Sequence, residues 1–250
     1  AADQDLDGNG YKNDCLGWNV VQNNGDTQDM AGHGTHESGL ITARANEIGV
    51  QGLSQMAQII PIKAIDRAPN APVRPQSLPV GDEDLPAQEI PLTQSIMKAL
   101  LYAQVRQAEV INMSLAWPAS FRSKAVETIT KKLIQSGVIV VAAAGNDSTY
   151  ANVFPCRIDG VICVGAHGPS GGRAHFSNYG PMVDVYAPGQ WILSTWVKSK
   201  LPTYFRDEVG YDYRDGTSMA TPIVAGAMAK LLSIGFSPDE ARLRLLSFVR

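Results

Sequence analysis

The sequence predicts an α/β fold built on a mostly parallel central sheet, and three observations carry that prediction. Apolar runs alternate along the chain with stretches of helical periodicity. Of the 250 residues, 44% are hydrophobic, which suits a single domain, 1–250, with a substantial core. Residues able to do chemistry fall just past strand ends and at helix starts, where open α/β sheets hold their sites. Alternation of this kind means βαβ units, parallel pairing and right-handed crossovers.

Taken in order, the first fourteen residues are polar and glycine-containing and cannot form a buried parallel strand. A helix is predicted over Thr35 to Ala45, directly after Gly32-His33-Gly34, and a strand over Ile59 to Ile65. Between Asp66 and Pro91 lie six prolines and the acidic cluster Gly81-Asp82-Glu83-Asp84, so 66–92 reads as an insertion loop rather than helix or inner strand. Helix Thr93 to Ala108, strand Val110 to Ser114, helix Ser123 to Ser136 and strand Val138 to Ala144 follow, with Gly137 as a helix stop. A last helix, Ala220 to Leu232, is rich in small apolar residues and tolerates Pro222 as a first-turn residue.

A net charge of −3 argues neither for nucleic acid nor for an anionic membrane surface, and no stretch is long and apolar enough to span a bilayer. Ala1 reads as a processed or trimmed end, so a missing signal peptide says little about destination. The three cysteines are too few for a disulfide framework. Cys156 and Cys163 flank a short turn and can bridge in an oxidising compartment, Cys15 can pair with a further N-terminal piece, or all three stay reduced.

The chemistry centres on Ser218 and His33. A serine hydroxyl is a poor nucleophile until a positioned base takes its proton. Ser218 opens the last helix, where backbone N–H groups and the helix dipole favour the charge that develops in acyl transfer. His33 sits at a helix start and can project toward a neighbouring element, whereas His36 is expected to pack or hydrogen-bond internally. Asn146 follows a strand end and can donate its amide to an oxyanion. The order argues against an α/β-hydrolase, whose nucleophile lies in Gly-x-Ser-x-Gly and precedes its histidine.

A separate feature precedes the histidine. Asp3, Asp5, Asp7, Gly8, Asn9 and Asp14 occupy positions one, three, five, six, seven and twelve of a loop like that of an EF-hand. Oxygen ligands Asp3, Asp5, Asp7, Asn9 and Asp14 would surround a structural Ca²⁺. Gly10 at the eighth position and Asp rather than Glu at the twelfth depart from that pattern, and a solvated turn is the alternative. No organic cofactor is expected.

Gly32-His33-Gly34-Thr35-His36, Val141-Ala142-Ala143-Ala144-Gly145-Asn146 and Gly216-Thr217-Ser218-Met219-Ala220-Thr221-Pro222, in this order and at these separations, resemble the subtilisin-like serine proteases, or subtilases. The likeness continues through Val110-Ile111-Asn112-Met113-Ser114-Leu115, Phe176-Ser177-Asn178-Tyr179-Gly180-Pro181 and Tyr186-Ala187-Pro188-Gly189. It implies the subtilisin-like three-layer fold and a secreted or extracytoplasmic serine endopeptidase acting on peptide or protein substrates. Ser218 would be nucleophile, His33 base, and Asn146 with the Ser218 N–H the oxyanion hole. Ser114, Leu115, Ala116, Trp117, Ala144 and Gly145 would line the substrate. Where subtilases commonly show Ser-Leu-Gly-Gly, Ala116 and Trp117 should narrow the cleft and the specificity. The 66–92 insertion would lie on the substrate-facing side.

Two departures remain. The family's triad aspartate closes a first core strand upstream of the histidine, and nothing of that form precedes His33. Removing that aspartate from a subtilisin lowers turnover by roughly four orders of magnitude. A fold without a central strand would leave ladder groups unpaired. The expectation is therefore that the strand and its aspartate come from another polypeptide, such as an N-terminal fragment of the same precursor cut during zymogen processing. A trimmed chain, or a pseudoenzyme or peptide-binding module on the same fold, is the alternative. The other departure is Glu37, which stands where the family usually has an aliphatic residue and for which the sequence supplies no physical account.

Overall fold

The computed structural model describes residues 5–65, 92–197 and 210–247. The insertion at 66–92 lies outside them except for Leu92, and so does Asp3. In chain order the elements are β1 (Trp18–Asn19), α1 (His33–Thr42), β2 (Ile62–Lys63), α2 (Leu92–Val105), β3 (Val110–Met113), β4 (Trp117–Pro118), α3 (Lys124–Gln135), β5 (Ile139–Ala143), β6 (Val153–Phe154), β7 (Ile162–His167), β8 (Val185–Pro188), β9 (Ile192–Thr195), β10 (Tyr211–Arg214), α4 (Thr217–Ser233) and α5 (Pro238–Ser247).

The main sheet is parallel throughout, in the order β3-β5-β7-β8. Its centre is β5, all five of whose residues are buried because both faces are covered, which is why Ile-Val-Val-Ala-Ala reads as a continuous apolar run. Successive side chains point to opposite faces. Ile139 and Val141 enter a cluster with Ile41 of α1, Val224 and Met228 of α4 and Ala241 of α5. Val140 and Ala142 enter a second cluster with Ile96 and Leu100 of α2 and Val126 and Leu133 of α3. The result is three layers, helix on sheet on helix, with each buried Val, Ile or Leu contributing about 1.5–3 kcal/mol. Three two-stranded pairs complete the pairing: β1 with β2 in parallel, and β4 with β6 and β9 with β10 antiparallel.

Local chemistry accounts for the helix limits. Ser123 caps α3 by accepting from the Val126 N–H at 3.4 Å. At the other end, the Gly137 N–H bonds the Ile134 carbonyl and the Val138 N–H the Leu133 carbonyl, a complete Schellman closure with Gly137 at φ 94°. Pro222 sits deeper than the sequence suggests, because α4 already begins at Thr217. Its missing N–H releases the carbonyl of Ser218, and the Ser114 hydroxyl donates to that carbonyl at 2.9 Å. The end of β3 is thereby tied to the start of α4. Cys156 and Cys163 form a disulfide, and Cys15 is a free, exposed thiol. No helix among the described residues is long and apolar enough to cross a membrane.

Candidate active site

Two helix starts and two strand ends meet at the site. Ser218 is the second residue of α4, half-buried, and its hydroxyl donates to the Ser114 carbonyl at 3.1 Å while the Ser114 hydroxyl donates back to the Ser218 carbonyl. Asn146 lies just beyond β5, and its side-chain oxygen accepts from the Thr217 N–H at 2.8 Å and the Thr217 hydroxyl at 3.0 Å. With Oδ1 taken, Nδ2 is the end of the amide turned to other partners. A side chain built at Gly216 would lie 3.6 Å from Asn146 Nδ2 and 3.6 Å from the Ser218 N. The two donors therefore flank one small space beside the serine.

The loop carrying Asn146 is knit from the far side by Asn178. Its Nδ2 donates to the Ala144 carbonyl at 2.8 Å, and its Oδ1 accepts the N–H groups of Asp147 and Thr149, each at 3.0 Å. Ala144 is fully buried, and a side chain at Gly145 would collide with Asn178. Ser114 is buried and Ala116 exposed, with Leu115 between them in exposure. Trp117 stands apart: its indole is 7% exposed and stacks on Phe154 at 6.3 Å inside the second core cluster. Any influence of Trp117 on a cleft passes through the backbone of 114–116.

His33 is the first residue of α1, with half of its side chain exposed. The turn before it is held by Asp29, whose carboxylate accepts from the N–H groups of Ala31 (2.9 Å), Gly32 (2.8 Å) and Thr35 (2.8 Å) and the Thr35 hydroxyl (2.7 Å). Burial pushes the Asp29 carboxyl up, but these hydrogen bonds together outweigh it and hold it below the ordinary carboxylate value. Gly32 adopts φ 91° with no room for a side chain, since Trp196 lies against it. His36 is fully buried; its Nε2 meets the carbonyls of Ile192 at 3.0 Å and Asp212 at 3.2 Å, so that nitrogen carries the proton. Burial, the largest influence, lowers its pKa below the ordinary 6.5.

A carboxylate does meet His33, and it is Glu37. Its Oε1 lies 2.9 Å from His33 Nδ1, one helical turn along α1. Its Oε2 accepts from Asn112 Nδ2 at 3.1 Å, and the same amide donates to the Ser114 hydroxyl at 3.0 Å. Glu37, Asn112, Thr217, Asn178 and Asp29 are the residues that sequence reasoning did not assign to the site. Only the Glu37 and Asp29 links had a local signal, the i, i+4 spacing and the Asp ahead of a helix start.

The acidic N-terminal loop is tied by its own donors. Asn9 turns its Nδ2 to Asp7 Oδ2 and Asp14 Oδ2, both at 2.9 Å, and its Oδ1 to the Tyr11 N–H at 2.7 Å. Asp14 also accepts from the Tyr102 hydroxyl at 2.8 Å and pairs with Arg106 at 3.2 Å. Burial and the bond to Asp14 push the Tyr102 hydroxyl up to about 12. Among the described residues no three acidic, His or Cys side chains converge as a metal would require. In this arrangement the Asn9 amide N–H groups, rather than a shared cation, satisfy the Asp7 and Asp14 carboxylates.

A sequence profile described as the Subtilase family matches residues 3–246. A thermophilic serine proteinase of Bacillus sp. (strain AK1) is 34% identical over 239 residues, covering 95% of this chain and 51% of that protein. Subtilisin amylosacchariticus of Bacillus subtilis subsp. amylosacchariticus is 36% identical over 210 residues, covering 82% and 47%. The chain thus spans about half the length of the curated relatives it matches. The crystal structure of a cold-adapted subtilisin-like serine proteinase superposes with a TM-score of 0.71 at 30% identity, over 92% of this chain and 72% of that one.

Proposed function

The chain belongs to the subtilase family, and on that premise we propose that it is a serine endopeptidase hydrolysing peptide bonds in peptide or protein substrates. The observation that carries the reading is the pair of donors, Ser218 N–H and Asn146 Nδ2, flanking one space beside a serine at a helix start. In this reading the Ser218 hydroxyl turns from the Ser114 carbonyl to His33 Nε2, gives up its proton and attacks the scissile carbonyl. The oxyanion then takes hydrogen bonds from Asn146 and the Ser218 N–H, and His33 returns the proton to the leaving amine. A carboxylate on Nδ1 fixes the imidazole tautomer. Substrate backbone runs along Ser114, Leu115 and Ala116 on one side and Ala144 and Gly145 on the other.

An extracytoplasmic location belongs to the same proposal, since the Cys156–Cys163 disulfide suits an oxidising compartment. Calcium on Asp3, Asp5, Asp7, Asn9 and Asp14 would require Asn9 to reverse its amide and Asp14 to leave Arg106. A rise in melting temperature on adding Ca²⁺ to chelator-treated protein supports it, and an unmoved one leaves the loop tied by Asn9.

The deciding experiment labels the purified protein with a serine-directed fluorophosphonate and records its mass under native and denaturing conditions. Labelling that Ser218→Ala abolishes supports the protease, and refusal of the label by folded protein favours a peptide-binding module. A small polypeptide released on denaturation would be the aspartate-bearing fragment expected from the sequence.

A further inference from the structure

We propose that Asp29 is a positioning residue for His33, acting through the backbone of the turn that opens α1 and through the charge it places at that end of the helix. The proposal rests on the protease reading, and it adds to the Ser218-His33 machinery without standing in for any member of the triad.

Three observations carry it. The first is where its hydrogen bonds fall. Asp29 Oδ1 accepts the N–H groups of Ala31 and Gly32, and Oδ2 accepts the N–H and the hydroxyl of Thr35. One carboxylate thus holds the chain on both sides of His33, and hydrogen bonds to an ionised acceptor are roughly twice as strong as neutral ones. A helix ordinarily takes such a bond from the side chain of its N-cap residue, but the N-cap of α1 is Gly32, which has none to offer. Asp29 supplies from three residues upstream what that glycine cannot.

The second observation is a matching clamp from β9. The Thr195 hydroxyl donates to the Thr35 carbonyl at 2.8 Å and the Ser194 hydroxyl to the His36 carbonyl at 2.7 Å, while Trp196 packs against Gly32. Asp29 takes the N–H groups of the turn and β9 takes its carbonyls, so the mount of His33 is fixed by both kinds of backbone group. A misplacement of about 1 Å in a reacting group can cost on the order of a hundredfold in rate. The third observation is charge. The first turn of α1 contains no acidic residue, and the N–H groups at a helix start disfavour the imidazolium that forms as His33 takes the serine proton. Asp29 sets a full negative charge against that end. Burial opposes the charge, but its hydrogen bonds outweigh burial and keep it ionised wherever His33 titrates. The other charged groups around the turn are Lys63, whose Nζ donates to the Gln28 carbonyl at 3.3 Å, Glu37 and buried His36 on α1, and Arg214 stacked on Trp196 at 4.0 Å. All four are retained in the variants below.

The test compares wild-type protein with Asp29→Asn and Thr35→Val on a chromogenic peptide, each rate divided by the folded fraction from near-UV circular dichroism. The His33 imidazole is also titrated by ¹⁵N NMR in the Ser218→Ala background, with and without Asp29→Asn. Asn can still accept from Ala31 and Gly32, but it turns an amide N–H toward Thr35 and carries no charge. The expected result is a kcat about ten- to a hundredfold lower with KM within about twofold. The acid limb of kcat/KM and the His33 midpoint should both move to lower pH by about half a unit, because the imidazolium loses a neighbouring negative charge. Thr35→Val removes one bond and keeps the charge, so it should lose less kcat and leave the acid limb in place. An Asn variant with wild-type kcat and an unmoved acid limb would overturn the proposal. So would a loss that vanishes on correction for folded fraction, since Asp29 would then serve stability alone. Should the wild type neither cleave nor take a fluorophosphonate label, the protease reading fails on its own account. The His33 midpoint then still decides whether Asp29 acts on that imidazole: a downward move upholds the link, and coincidence with the parent rejects it.

Discussion

Asn146 and Thr217 show how one residue's role depends on another's. Thr217 takes the amide oxygen of Asn146 with both its N–H and its hydroxyl, so it sets which end of that amide can act as donor. Asn146→Ala should lower kcat about 10²–10³-fold with KM nearly unchanged, since the lost donor serves the transition state alone. Steady-state kinetics on one peptide checks this, and a loss confined to KM would contradict it. Thr217→Val keeps the shape but strips the acceptor that holds the Gly145 N–H at 3.2 Å. A buried N–H left without a partner costs about 1–3 kcal/mol, so this variant should lose stability as well as activity in denaturant titrations. Ser218, His33 and Asn146 could be nominated from sequence because their neighbours repeat a known pattern. Their supports were not, because Asn112 meets Glu37 across 75 residues and Asn178 meets Asp147 across 31, distances over which sequence spacing says nothing.

Among the elements, the helices and strands with clean periodicity or caps were read nearly to their ends. Lys124–Gln135 and Ile139–Ala143 fall inside their predicted spans, with Ser123 and Gly137 at the helix boundaries. The strand predicted over Ile59 to Ile65 survives only as Ile62–Lys63, because ladder length is set by the partner, here the two residues Trp18–Asn19. Trp117, expected from sequence to narrow the cleft, pairs with Phe154 across β4 and β6 and stacks its indole on that ring in the second core cluster. The start of α4 precedes the expected Ala220 because Pro222 sits inside the helix, where the Ser114 hydroxyl substitutes for the missing N–H. That substitution predicts a coupled pair. Ser114→Ala should cost about 1–2 kcal/mol, and Pro222→Ala should restore much of it by returning an N–H to the Ser218 carbonyl. Additive losses in a double-mutant cycle would show that the two positions are independent.

At the scale of the whole molecule, acid sensitivity should come in two steps. Folded His36 binds its proton below 6.5, so its contribution to stability is complete above 6.5 and is lost as the pH falls from there through the folded value. Asp14 and Asp29 are likewise depressed below 3.8, and theirs is lost only as the pH falls below that value. Urea midpoints of Ser218→Ala, chosen to prevent self-digestion, should decline first below 6.5 and again below 3.8. A profile flat between about pH 7 and pH 5 would contradict the first step. The second step should shrink in Asp29→Asn. The position of β5 has a further consequence. Clad on both faces and bonded on both edges, its amides have no local route to solvent, so they should trade protium for deuterium only when the entire domain opens. Uptake at Ile139–Ala143 is then a built-in gauge of the open population, the same population that an added protease would cut.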